Sequence, residues 1–161
     1  KIIMDILDDE LIELWRVFEK NKLKYIMVGG FASILNGYNR LTSDLDIWIK
    51  DTKENRQALQ NSLHEIGLNT IPDLENIDFV PDWSSINLPS GFELDIMTQL
   101  KGFEQEKFDE CYQTSNEAII ENISVRFFHI NQLIESKKAA NRLKDQLDIE
   151  ELEKIKRQNK L

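Results

Sequence analysis

Cysteine occurs once in the 161 residues, as Cys111, and histidine twice, as His64 and His129. A lone cysteine excludes an internal disulfide and a cysteine-built zinc centre, and it fits a reducing, cytoplasmic compartment. No basic neighbour lowers the pKa of Cys111, so it is read as inert. Neither histidine has a partner at a spacing that signals zinc or a catalytic triad, and both are read as structural. No run approaches the roughly 18 apolar residues that a membrane span needs. The segment from Asp5 to Glu10 is acidic and shows no signal-peptide pattern. The chain starts at Lys1 rather than at a methionine, so a few leading residues are expected to be missing. Basic excess is lacking as well, the net charge being −9. A duplex-binding domain carries a basic excess to offset phosphates. Extended nucleic acid is therefore not an expected partner, whereas a small nucleotide whose phosphates are screened by a metal ion is compatible.

What is present reads as one soluble α/β domain spanning 1–161, with 41% hydrophobic and 30% charged residues. Ile6, Leu7, Leu11, Leu14, Trp15 and Phe18 recur near a period of 3.6 and predict an amphipathic helix from Ile2 to Lys20. Tyr25 to Val28 predicts a buried strand, followed at Gly29-Gly30 by a short helix, Phe31 to Leu35, that Asn36-Gly37 stops. Asp44 to Ile49 predicts a second strand. Thr52 is placed as the cap of a helix reaching about Ile66, with Gly67 closing it. Pro72 to Pro81 reads as a loop with a short strand near Ile77 to Val80. Strands follow at Trp83 to Leu88 and Phe92 to Met97, joined by the turn Pro89-Ser90-Gly91. Phe103 to Tyr112 is predicted helical. A hairpin turns at Glu121-Asn122 between Ala118 to Ile120 and Ser124 to Phe128. Asn131 is expected to cap a helix toward Ala140, and a last helix covers about Gln146 to Gln158. This organisation gives a core over about 1–128 and C-terminal helices over about 130–158.

The chemistry concentrates in Asp44-Leu45-Asp46. Two carboxylates one residue apart on a strand point the same way. Such like charges are tolerated where a divalent cation sits between them or where water solvates both. Gly29-Gly30, just after an apolar strand, lets backbone N–H groups approach a bound phosphate. Asp95 lies in Phe92-Glu93-Leu94-Asp95-Ile96. If that strand pairs with Asp44 to Ile49, three carboxylates converge at one end of a sheet. Hard oxygen ligands of that kind suit Mg²⁺, and two such ions are able to clamp an in-line displacement at phosphorus.

Gly29-Gly30-Phe31-Ala32, Gly37, and Arg40-Leu41-Thr42-Ser43-Asp44-Leu45-Asp46-Ile47 together resemble the minimal nucleotidyltransferases of the polymerase-beta-like superfamily. Lys137 to Asp145, followed by Asp148 and Leu152, resembles the C-terminal helical signature of the abortive-infection and toxin–antitoxin members. The resemblance implies the α/β (α+β) nucleotidyltransferase fold, a mixed β-sheet flanked by helices with a C-terminal helical segment. It implies that an NTP, ATP first among them, binds as a metal complex, with two Mg²⁺ ions or Mn²⁺ in their place. By the same resemblance Gly29 and Gly30 hold the triphosphate, Asp44 and Asp46 bind the ions, and Asp95 completes the metal site and assists deprotonation of the acceptor hydroxyl. The superfamily usually has Gly-Ser where this chain has Gly29-Gly30. That removes a hydroxyl contact to phosphate, and Ser33 lies one helical turn further on.

Other residues admit two readings each. Arg40 either forms a salt bridge to the Asp pair or contacts phosphate, and Thr42 either bonds the backbone or helps to place the nucleotide. Lys137, Arg142 and Lys144 either reach phosphate or the acceptor, or face solvent or form internal ion pairs with Asp145 or Asp148. Trp48 alternates with the Asp side and is expected to be partly exposed near the site. Trp15, Phe18 and Trp83 are read as core. The expected reaction moves an NMP to a hydroxyl and releases pyrophosphate. The acceptor is a protein, such as a cognate toxin or antitoxin, or a small molecule of the aminoglycoside or lincosamide kind. The alternative from another class is a catalytically inactive module that binds a nucleotide or a partner without turnover.

Overall fold

The computed structural model describes residues 4–80 and 84–159. In chain order the elements are α1 (Asp9–Lys20), β1 (Tyr25–Val28), α2 (Gly29–Leu35), β2 (Asp44–Ile49), α3 (Lys53–Glu65), β3 (Ser85–Asn87) and β4 (Glu93–Met97). A short 3₁₀ turn, Gln105–Lys107, leads into α4 (Phe108–Thr114), followed by β5 (Asn116–Ile120), β6 (Ile123–Phe127), α5 (Ile130–Ala140) and α6 (Leu143–Gln158). The strands form one six-stranded mixed sheet in the order β3-β4-β2-β1-β6-β5. β2 runs parallel to β4 and β1 parallel to β6, while the other neighbours are antiparallel.

Residues opposite one another in a sheet share a face. The pairings Tyr25↔Ile49, Met27↔Ile47 and Leu45↔Leu94 make one apolar face. Trp15 of α1 stacks on Tyr25 at 6.2 Å between ring centres, and Phe18 meets Tyr25 edge-on at 5.0 Å. The other face carries Asp44, Asp46 and Trp48 of β2 beside Glu93, Asp95 and Met97 of β4. At the hairpin tip, Glu121 and Asn122 both have positive φ (49° and 66°), which suits the twist of a two-residue β-hairpin loop.

Several local expectations shift. α1 begins at Asp9 rather than Ile2, because Asp5 folds back through its carboxylate onto the Leu7 N–H (2.9 Å); Ile2 lies outside the described residues. Ile77 to Val80 form no strand; the Arg56 guanidinium binds the carbonyls of Leu74 and Ile77 (2.9 and 2.6 Å), leaving this segment as irregular chain. β3 is limited to Ser85–Asn87, and Trp83 lies outside the described residues. His129, not Asn131, caps α5: its Nδ1 accepts the Asn131 N–H at 3.1 Å, and Gln132 Oε1 accepts the His129 N–H at 2.8 Å. α6 starts at Leu143, three residues before the predicted Gln146, once the Asp145 carboxylate accepts the Arg142 N–H.

Trp48 is fully buried, against the expectation of partial exposure. It does share the aspartate face. However, Phe103, Phe108 and Phe128 surround its ring at 5.1–6.0 Å, and its indole N–H donates to the Thr98 carbonyl at 2.7 Å. Alternation assigns a face, not a depth. One step further along β2 than Asp46, the same face has passed beneath α4 and Phe128.

Candidate active site

The parallel pairing of β2 with β4 sets Asp46 directly opposite Asp95, and Asp44 opposite Glu93. One carboxylate oxygen from each of Asp44, Asp46 and Asp95 lies within 4.8 Å of the other two. All three side chains are half-buried, Asp44 at the start of β2, Asp46 two residues on, and Asp95 in the middle of β4. Two hydroxyls steady the cluster. Thr42 Oγ1 donates toward Asp44, 3.0 Å from its carbonyl and 3.2 Å from its Oδ1. Ser85 Oγ, from the edge strand β3, donates to Asp95 Oδ1. Burial, followed by the neighbouring Asp44, raises the pKa of Asp95, while the Ser85 hydroxyl and Asp46 act in the opposite direction. Three converging carboxylates without an intervening cation repel one another. As a donor set they are hard oxygens at a spacing fit for Mg²⁺ or Mn²⁺.

The glycine turn stands against these acids. Val28 pairs with Asp46, so the chain leaves β1 at Gly29 level with the aspartates. Gly29 has φ +67°, and a Cβ there would collide with the Asp46 carboxylate. A Cβ at Gly30 would come within 2.7 Å of Thr42 Oγ1. The turn is thus kept bare by Asp46 at Gly29 and by Thr42 at Gly30. Ser33 is fully buried beneath it and donates to the Gly29 carbonyl at 3.2 Å. Its hydroxyl is spent within α2, so it does not replace the one missing at position 30.

A cleft of about 440 Å³ opens over the turn and the acids, closed on its far side by α5 and α6. Arg40, Lys137 and Arg142 each pair with an acid of α6. Asp148 accepts from Lys137 Nζ (2.9 Å), Tyr38 Oη (3.0 Å) and Arg40 Nη1 (3.3 Å). Arg40 therefore forms a salt bridge, but to Asp148 and not to the Asp44–Asp46 pair. Arg142 Nε meets Asp145 at 2.8 Å, and Lys137 Nζ lies 3.8 Å from Asp145. Lys144 is exposed on the cleft rim. Burial alone would raise the pKa of Asp145 and Asp148. Hydrogen bonds and charge from Arg142 at the first, and from Lys137, Tyr38 and Arg40 at the second, outweigh it and hold both below the usual carboxylate range.

Sequence reasoning missed three residues: Lys101 in the cleft, and Ser85 and Tyr38, which bond to the cleft acids Asp95 and Asp148. Ser85 and Tyr38 gave no local signal, because their roles depend on register and on the α5–α6 hairpin. Lys101 lines the cleft, in the turn after β4. Gly102 beside it, with φ +86°, was the one readable mark of that turn. Cys111 is buried, and burial with nearby Glu110 and Glu135 pushes its thiol up to about 11, consistent with an inert role.

No family model matches the chain, and no curated protein matches it. Solved structures share its architecture, among them two nucleotidyltransferase-fold proteins. The lincomycin-bound crystal structure of the lincosamide antibiotic adenylyltransferase LnuA aligns with a TM-score of 0.59 at 17% identity, covering 92% of this chain and 97% of that one. An antigenic nucleotidyltransferase-like protein from Paracoccidioides brasiliensis aligns with a TM-score of 0.56 at 19% identity, covering 96% of this chain and 78% of the other. The chain has the nucleotidyltransferase fold. Among the described residues, no helix is long and apolar enough to cross a membrane.

Proposed function

We propose that this protein is a metal-dependent nucleotidyltransferase that moves an NMP from an NTP, preferentially ATP, to an acceptor hydroxyl and releases pyrophosphate. One observation carries the reading: three strand-borne carboxylates with oxygens within 4.8 Å of one another, set against a glycine turn that Asp46 and Thr42 keep bare. Asp44, Asp46 and Asp95 are the residues that would hold Mg²⁺ or Mn²⁺. Bound there, divalent ions supply charge neutralisation around the reacting phosphate.

The remaining work falls to the chain. Gly29 and Gly30 let the triphosphate approach the backbone without a side chain in the way. Thr42 holds Asp44 in its rotamer. Asp95 takes the proton of the acceptor hydroxyl as the new P–O bond forms. Lys137, Arg142 and Lys144 on the far wall, with Lys101 after β4, give the cleft the positive charge that a triphosphate needs on a chain of net charge −9. Positioning and electrostatics of this kind carry most of the barrier reduction in phosphoryl chemistry.

LnuA, a lincosamide antibiotic adenylyltransferase whose structure holds lincomycin, shares the fold of this chain along 97% of its own length. We favour a small-molecule hydroxyl, with an aminoglycoside or lincosamide as the first to try. The resemblance to toxin–antitoxin enzymes makes a cognate protein partner the second class. Incubation with each NTP, Mg²⁺ and a panel of acceptors, read by pyrophosphate release and mass spectrometry, tests the proposal. Nucleotide binding with no release across the panel points instead to a binding module, a reading that the missing hydroxyl at Gly30 and the buried Ser33 favour.

A further inference from the structure

We propose that the chain carries an acceptor of its own: the hydroxyl of Ser85 receives an NMP from the bound nucleoside triphosphate. The inference rests on the nucleotidyl-transfer reading above and adds a modification site to it.

The argument is one of register. Val28, which leads directly into Gly29, lies opposite Asp46; Asp46 lies opposite Asp95; Asp95 lies opposite Ser85. Adjacent strands stand about 4.8 Å apart. One row across the sheet therefore presents a glycine turn, two metal-binding carboxylates and a serine hydroxyl, in that order. An in-line displacement needs its entering and leaving oxygens on opposite sides of phosphorus. A triphosphate whose outer phosphates rest at Gly29-Gly30 sends pyrophosphate toward that end of the row. The attacking oxygen then comes from the other end, which Ser85 occupies.

Position is matched by contact and access. Ser85 Oγ already donates to Asp95, the carboxylate assigned to accept the acceptor's proton, and the residue is exposed on an edge strand. Ser136, the serine that lines the cleft, donates to the Leu133 carbonyl at 2.8 Å. Thr42 also touches the cluster, but it is 5% exposed and sits on the side of the glycine turn. Ser84, one step along the chain, accepts the Val80 N–H at 2.8 Å. Ser90 has its backbone N–H tied to Glu10 at 2.9 Å, beyond the β3–β4 turn.

In the step, Ser85 Oγ bonds to the α-phosphorus while the bond from that phosphorus to the α,β-bridging oxygen breaks. Pyrophosphate leaves with the electron pair. The hydroxyl proton passes to Asp95 and then to water. The product is a phosphodiester at Ser85 that stands against Asp95, so labelling stops at one NMP per chain.

The test incubates the full chain with MgATP and reads intact mass and a peptide map. On the same preparation, calorimetry measures the binding of Mn²⁺ and of the nucleotide. The expected result is a single added AMP on Ser85, at a rate independent of protein concentration. Ser85→Ala, with a wild-type melting curve, loses the label, and Ser84→Ala keeps it. Absence of label on a wild-type chain that binds Mn²⁺ and nucleotide and adenylylates an added acceptor overturns the inference and leaves the enzyme reading intact. Label on any residue other than Ser85 overturns it equally. A chain that binds neither Mn²⁺ nor nucleotide overturns both.

Discussion

Gly29 has no side chain, and the space where one would begin is filled by the Asp46 carboxylate. A strand end and a metal-ligand candidate are therefore fitted to each other, and the positive φ of Gly29 adds a second reason for glycine there. Gly29→Ala is expected to cost about 1–3 kcal/mol through strain. Through displacement of Asp46 it also weakens Mn²⁺ binding by about tenfold or more, as loss of a supporting contact does elsewhere. Thermal melting and calorimetry on the variant check both effects. Unchanged Mn²⁺ affinity refutes the proposed fit between turn and acid.

Converging like charges make a directional prediction. Without metal, Asp95→Asn removes one partner from a mutually repelling set. Its melting temperature is expected to equal or exceed that of the wild type. Asp44→Asn behaves likewise. Both variants lose the rise in melting temperature that Mn²⁺ gives the wild type, since only ligands that bind the folded state stabilise it. NMP transfer falls by about a thousandfold or more. Parallel melts with and without Mn²⁺ separate this outcome from simple unfolding.

The pH dependence has two signs. Asp145 and Asp148 have folded pKa values below the ordinary 3.8. Their contribution is present above about that pH and is lost as pH falls through their lowered values. Asp148→Asn is therefore expected to cost about 1.5–3 kcal/mol near neutrality, the range for hydrogen bonds to a charged group, and nothing in strong acid. Asp95 has the opposite sign, because its folded pKa is raised above 3.8. Its contribution is present below 3.8 and lost as pH rises through the raised value. Asp95→Asn should accordingly gain on the wild type only on the neutral side. Melting temperature against pH for the three proteins measures both.

Trp48 belongs to the core despite its position on the aspartate face. Trp48→Ala is expected to cost about 3–5 kcal/mol, with added loss from the Thr98 carbonyl left without its indole donor. Denaturant unfolding gives the value. A cost below about 1 kcal/mol contradicts the packing described.

The sequence exposed whatever depends on neighbours along the chain. Period two put Asp44 and Asp46 on one face, and Thr52 and Gly67 marked the two ends of α3. Gly-Gly after an apolar strand marked the turn. It did not expose depth, pairing or register. Nothing local distinguishes Asp46, open to the cleft, from Trp48, buried beneath α4. Nothing near Ser85 tells that it faces Asp95. Arg40 illustrates the limit: its charge called for an acid, and the acid is Asp148, which only the α5–α6 hairpin brings within reach. Ser33 was one turn from the glycines, as counted, yet its side chain points into the fold.

The central claim is that the carboxylates of residues 44, 46 and 95 hold divalent ions against a triphosphate. Diffraction from crystals grown with Mn²⁺ and a non-hydrolysable NTP, with data collected at the manganese absorption edge, tests it most directly. The account predicts anomalous peaks at about 2.2 Å from oxygens of all three side chains, with the triphosphate running to Gly29-Gly30. Nucleotide bound elsewhere, or manganese absent from the three aspartates, contradicts it.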